Sequence, residues 1–132
     1  MTSQGALESV REALHARPPE GLHLLVVHGS RATGDASPAS DWDFGYLADA
    51  GFDADALLAD LVLRLDTDAI DLADLGRASA QLRFRVAQHG QVVVEPRAGA
   101  FADFWLDAVS YWLDMSPIIR AEYEAALARL GP

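Results

Sequence analysis

Asp41 and Asp43 stand two residues apart in Ser40-Asp41-Trp42-Asp43-Phe44-Gly45, where an apolar run begins. On an extended strand, residues i and i+2 point to the same side. The two carboxylates therefore aim at one point, and Trp42 goes to the other side. Two hard anionic oxygen donors side by side suit Mg²⁺, which is commonly held by one or two carboxylates plus substrate phosphates. A third acid, Asp71, lies in Ala69-Ile70-Asp71-Leu72-Ala73 and alternates with Ile70 and Leu72. Carboxylates in strand interiors are costly unless solvated or paired. Three that converge would repel one another without a cation, and a two-metal clamp suits phosphoryl or nucleotidyl transfer. Each part also has a plain reading. A lone Asp-x-Asp is common, and Asp71 alone is a charge that keeps an edge strand from pairing with another chain.

The second half of the candidate site is Gly29-Ser30, at the end of the apolar run Leu24-Leu25-Val26-Val27. Glycine lets a backbone approach a phosphate closely. The amides of a following helical turn are anion donors, and the Ser30 hydroxyl adds a hydrogen bond. Arg31 offers a cation to the same phosphate; its plain reading is an exposed, solvated arginine. His28 directly precedes the turn and reads more simply as a partly buried structural histidine.

The elements that must position these residues follow from periodicity. Leu7, Val10 and Leu14 predict a helix over 6–16, with Ser3 as a candidate cap, stopped by Pro18-Pro19 and Gly21. Strands are expected at 22–28, 41–48, 69–73 and 91–95, with a helical turn at 30–34. Asp53 caps a helix over 54–66, and Asp74 or Gly76 begins one over 77–89 that ends at a glycine cap signal, His89-Gly90. The last third, 100–130, is amphipathic and helical, with Ser116-Pro117 reading as a fresh helix start. This order predicts an α+β (α/β) fold: a small mixed sheet of about four strands covered by helices. It is expected to form a single domain over 1–132, with a core at 6–97 and a C-terminal helical segment at 100–130.

Composition narrows the function classes. The chain has 132 residues, 51% of them hydrophobic, which is enough for one packed core. With no cysteine there is no disulfide framework and no thiolate chemistry. The net charge is −10, and all ten cations are arginine. Such a balance argues against a protein that grips nucleic-acid backbones, and it permits metal binding and a basic protein partner. The N-terminus has neither a basic nor an apolar signal region, and no apolar run approaches the roughly 20 residues of a membrane span. The expectation is a cytoplasmic protein with no membrane and no direct nucleic-acid partner.

The joint pattern of strand, Gly29-Ser30-Arg31-Ala32-Thr33-Gly34, a polar gap and Ser40-Asp41-Trp42-Asp43 resembles the signature of the polymerase β-like nucleotidyltransferase superfamily. In its short length the chain is similar to the minimal nucleotidyltransferase (MNT) branch. Asp71 in Ile-Asp-Leu-Ala-Asp-Leu matches the third carboxylate. Arg83-Phe84-Arg85-Val86-Ala87-Gln88-His89-Gly90 with the following Val-rich run resembles the family's helix, glycine and closing strand. The aromatic tail from Phe104 to Leu127 resembles that of antitoxins paired with HEPN-domain ribonuclease toxins. Trp42 departs from the usual aliphatic residue between the two aspartates, and is expected to face the core.

The resemblance implies a nucleotidyltransferase fold and a catalytic scheme. Asp41 and Asp43 would hold Mg²⁺ and the triphosphate of ATP, Asp71 would complete the metal site, and Gly29 and Ser30 would grip the β and γ phosphates. In the antitoxin members the acceptor is a tyrosine of the toxin, and AMP attachment silences the ribonuclease. Two alternatives stand beside it: an antitoxin that neutralises its HEPN toxin by binding alone, and a small-molecule (antibiotic) nucleotidyltransferase. Trp105, Trp112 and Tyr123 either complete the core or form a patch for the partner.

Overall fold

The computed structural model describes residues 2–130; the outermost positions of the expected domain, Met1 and residues 131–132, lie outside the described residues. Helix α1 (Ser3–Ala16) starts one residue earlier than Ser3 predicts, because the Thr2 hydroxyl accepts the Gly5 N–H at 3.0 Å. Its buried face is Leu7, Val10 and Leu14. Strand β1 (Leu22–His28), the short helix α2 (Ser30–Thr33) and strand β2 (Trp42–Ala48) follow. Helix α3 (Ala54–Leu65) is capped by Asp53, whose carboxylate accepts the Ala56 N–H. Strand β3 (Ile70–Asp74), helix α4 (Ala80–His89), strand β4 (Gln91–Val94) and helix α5 (Ala100–Arg129) complete the chain.

The strands form one mixed sheet in the order β3-β2-β1-β4. β1 is antiparallel to both neighbours, and β2 and β3 run parallel. Helices cover both faces. Leu25, Val27, Trp42 and Phe44 pack with α1 and α3 on one side, and Leu24, Val26 and Leu75 pack with α4 and α5 on the other. Because β1 is buried on both faces, its middle, Leu24 to Val27, is an apolar run with no alternation, flanked by His23 and His28. Trp42 is buried and stacks on Phe44 with ring centroids 5.9 Å apart, as expected for a residue facing the core.

Several details of the helix ends differ from the sequence expectation. Helix α4 begins after Ser79, which accepts the Leu82 N–H at 3.1 Å; neither Asp74 nor Gly76 caps it. Asp74 instead ends β3 and accepts the Gly76 N–H in a tight turn. Gly90 does end α4, but in an extended conformation; its small size is what is needed, since a Cβ there would lie 2.6 Å from Val26. Pro117 does not start a new helix: α5 runs through it as one helix of 30 residues. Proline removes one N–H from the interior of a helix. Leu113, whose carbonyl loses its partner, is exposed, so water can take that bond.

Past Trp112, α5 carries an apolar stripe that no other part of the chain covers among the described residues. Ile119, Tyr123 and Leu127 recur at helical spacing on one side, and Tyr123 is 66% exposed. Nearer the start of α5, Phe104 and Ala108 are buried, and Trp112 stacks on Phe84 of α4 at 5.2 Å. Among the described residues no helix is long and apolar enough to cross a membrane.

Candidate active site

Strand pairing sets the geometry. Asp43 on β2 lies opposite His28 on β1, and on its other side is in register with Asp71 on β3. Adjacent strands lie about 4.8 Å apart, so His28, Asp43 and Asp71 form a row across three strands. By alternation the row faces the α4 side, since Trp42 and Phe44 on β2 point into the α1–α3 core. At the end of the sheet the row leaves the apolar core and opens into a cavity of about 350 Å³, lined by His28, Gly29, Thr33, Asp43, Asp71, Leu82, Arg85 and His89.

Gly29 is required here on two counts. Its backbone sits at φ 69°, ψ −157°, a region that residues with a side chain rarely enter. A Cβ at this position would also run into the Asp43 carboxylate oxygen. The chain thus passes from β1 into α2 with bare backbone against the acid. Asp43 is partly buried, while Asp71 is exposed.

The remaining sequence candidates lie at different places. Asp41 is exposed and falls one residue before β2, so it precedes the strand that was expected to carry it. Ser30 opens α2 but does not line the cavity. Arg31 turns to the opposite face of the sheet. Its guanidinium donates to Ser3 Oγ at 2.5 Å and to the Ser40 carbonyl at 2.7 Å, and it stacks over the Trp42 ring at 4.4 Å. The burial of Trp42 draws Arg31 there, so the arginine is neither free in solvent nor beside the carboxylates. A larger cleft of about 760 Å³ lies on that side, lined by Arg31, Ser40 and Trp42 among others; none of the three carboxylates borders it.

His28 has a deeper place in the site than its sequence position indicates. Its Nε2 is buried with no hydrogen-bond partner. Burial pushes its pKa below the ordinary 6.5, opposed by the nearby Asp43 charge, a backbone hydrogen bond to Phe44 and the Asp71 charge, and reinforced by Arg85. Sequence reasoning missed Arg85 and His89, which enter the cavity from α4. Their i, i+4 spacing with Leu82 three residues earlier was the available signal, since such positions share one helix face.

Among the described residues no group of three or more His, Asp or Glu side chains is arranged to hold a metal ion. What the fold brings together is a pair, Asp43 and Asp71, with the bare Gly29 backbone beside it. The donor chemistry of that pair, hard oxygen without sulfur, fits a small divalent cation that completes its shell from water and a phosphate.

The chain is similar to known proteins in sequence and in fold. Residues 10–98 match the sequence profile described as polymerase beta, nucleotidyltransferase. The protein adenylyltransferase MntA of Aphanizomenon flos-aquae is 32% identical over 96 residues, and the match spans 63% of this chain and 63% of that relative's length. Among solved structures, a toxin–antitoxin with AMP-PNP superposes with a TM-score of 0.73 at 24% identity, covering 92% of this chain and 98% of the other. The complex of a tri-AMPylated Shewanella oneidensis HEPN toxin with its MNT antitoxin gives 0.68 at 23% identity, covering 96% and 99%. At such identity the two structures speak for the fold, which is the nucleotidyltransferase fold that the motif resemblance implied. With the profile spanning the sheet and the whole of the candidate site, the chain belongs to the polymerase beta nucleotidyltransferase family.

Proposed function

We propose that the chain is an adenylyltransferase antitoxin that transfers AMP from ATP to a tyrosine of a HEPN ribonuclease toxin. The observation that carries the reading is the meeting of Gly29 backbone, Asp43 and Asp71 at the mouth of one cavity. That arrangement suits a nucleotide whose phosphates lie against bare backbone while its reacting phosphorus sits near paired carboxylates. The acceptor class is drawn from the relatives, one a protein adenylyltransferase and one bound to an AMPylated HEPN toxin.

In this reading Asp43 and Asp71 would hold Mg²⁺, and Asp41, in the residue before β2, would complete the set. The ion would neutralise phosphate charge and orient the reacting groups. Gly29 and Ser30 receive the β and γ phosphates, and Arg31 supports the loop through Ser40 and Trp42. The acceptor oxygen attacks the α-phosphorus in line, the bond to the bridging oxygen breaks, and pyrophosphate leaves. The hydroxyl proton passes to a carboxylate of the site, for which Asp71, exposed at the open end of the row, is the accessible one.

A second reading has an observation of its own. The uncovered apolar stripe on α5 suits a protein partner, so neutralisation by complex formation alone is the alternative. Intact-mass spectrometry of a HEPN protein from the same genome, incubated with this protein, ATP and Mg²⁺, separates the two. Added AMP units that disappear with Asp41→Asn/Asp43→Asn support transfer. A stable complex with no added mass overturns transfer in favour of binding.

A further inference from the structure

Helix α4 carries two arginines two residues apart, and they have different surroundings. Arg83 is engaged: its Nη2 donates to Asp107 at 2.8 Å, and its guanidinium lies 5.3 Å from the Phe104 ring. Arg85 points the other way, into the cavity of Asp43 and Asp71. Among the described residues it makes no ion pair and no side-chain hydrogen bond. In a chain with 20 acidic residues and 10 arginines, five arginines, among the described residues, pair with a carboxylate. 

 Arg85 shares its cavity with two aspartates and pairs with neither, so its charge is left available at the site.

We infer that Arg85, with His89 one turn further along α4, receives the phosphate chain of the nucleotide from the side opposite Gly29. This rests on the nucleotidyltransferase reading and assigns that site a second wall. The chemistry favours it. The floor of the cavity is acidic, and a polyanion needs a cation on the protein as well as one between the carboxylates. Arg85 is the arginine that lines this cavity, and a guanidinium offers a planar fork of donors that matches two phosphate oxygens. His89 shares the helix face and adds a ring N–H within the same wall. Leu82, at the other end of that face, keeps the wall apolar toward the core.

The test is equilibrium binding of ATP, AMP and adenosine in the presence of Mg²⁺, by calorimetry, to the full chain and to Arg85→Gln, Arg85→Lys, His89→Ala and Arg83→Gln. Arg85→Gln is expected to weaken ATP binding about tenfold to a hundredfold, the range for losing a charge-assisted hydrogen bond. Adenosine binding should be unchanged, Arg85→Lys should recover part of the loss, and His89→Ala should weaken ATP binding by a smaller factor. Arg83→Gln is the control: it should lower the melting temperature and leave ATP affinity alone. Wild-type affinity for ATP in Arg85→Gln overturns this inference while the nucleotidyltransferase reading stands. If the wild-type chain binds no nucleotide, that reading falls and this one falls with it. Equal losses for ATP and adenosine also overturn it, since they would mean a distorted pocket and not a lost phosphate contact.

Discussion

Replacing Gly29 by alanine tests the close approach on which the site is built. Two effects add. The backbone at φ 69°, ψ −157° is a conformation that a residue with a side chain adopts at a cost of about 1–3 kcal/mol. The new methyl also meets the Asp43 carboxylate, which must swing away or push the turn outward. Gly34 provides an internal comparison. It too has a positive φ, 85°, but a Cβ there has nothing within 4 Å. Gly34→Ala should therefore cost only the backbone term, about 1 kcal/mol. A urea or thermal melt of both variants reads the stability, at on the order of 4 °C per kcal/mol for a domain of this size. AMP transfer reads the geometry. Gly34→Ala should transfer at close to the wild-type rate, whereas Gly29→Ala should lose about a hundredfold, the scale for an ångström of misplacement at a reacting centre. A folded Gly29→Ala protein with undiminished transfer would refute the argument that the backbone must lie against Asp43.

Two other perturbations follow. The imidazole of His28 should titrate below 6.5 in an NMR pH series, because burial disfavours its charged form. The unfolded chain then takes up the proton first as pH falls. His28 should therefore leave stability constant above about pH 6.5 and lower it as pH drops from there toward the folded-state pKa; His28→Gln should remove that part of the slope. A titration at or above 6.5 would contradict the burial argument. On α5, Tyr123→Glu and Leu127→Glu should leave the unfolding free energy within about 0.5 kcal/mol of wild type, as for surface changes, and should abolish association with a HEPN partner in size-exclusion chromatography. Unchanged association would move the partner to another face.

Much of the fold is legible in the residues because local and tertiary demands agree. The run Leu24 to Val27 reads as a buried strand and is the central strand. Asp53 caps the helix it was expected to cap. The parity of Trp42 and Asp43 sends one to the core and the other to the cavity. What the sequence hides depends on partners remote along the chain. Arg31 follows the Trp42 ring and Ser3, 28 residues away. The direction of Arg85 follows from which face of α4 packs on α5, a choice fixed by Phe84 against Trp112 and by Val86 in the core. Pro117 looks like a helix start because the local rule ignores that an exposed carbonyl can be hydrated.

The apolar continuity of β1 leaves its alignment open to error during folding. Leu24, Leu25, Val26 and Val27 are all buried, so a shift by one residue would exchange the side chains of the two cores at small hydrophobic cost. The polar ends of the strand resist that shift. His23 binds Asp49 at 2.7 Å, and His28 lies beside Asp43. After a one-residue slip His28 would be carried toward the aromatic side of the sheet, against Trp42 and Phe44, and His23 would leave Asp49. The histidine at the edge of the site is thus also a proofreading element of the chain's assembly, and its replacement by an aliphatic residue would remove a penalty against misaligned sheets even where the native fold tolerates it.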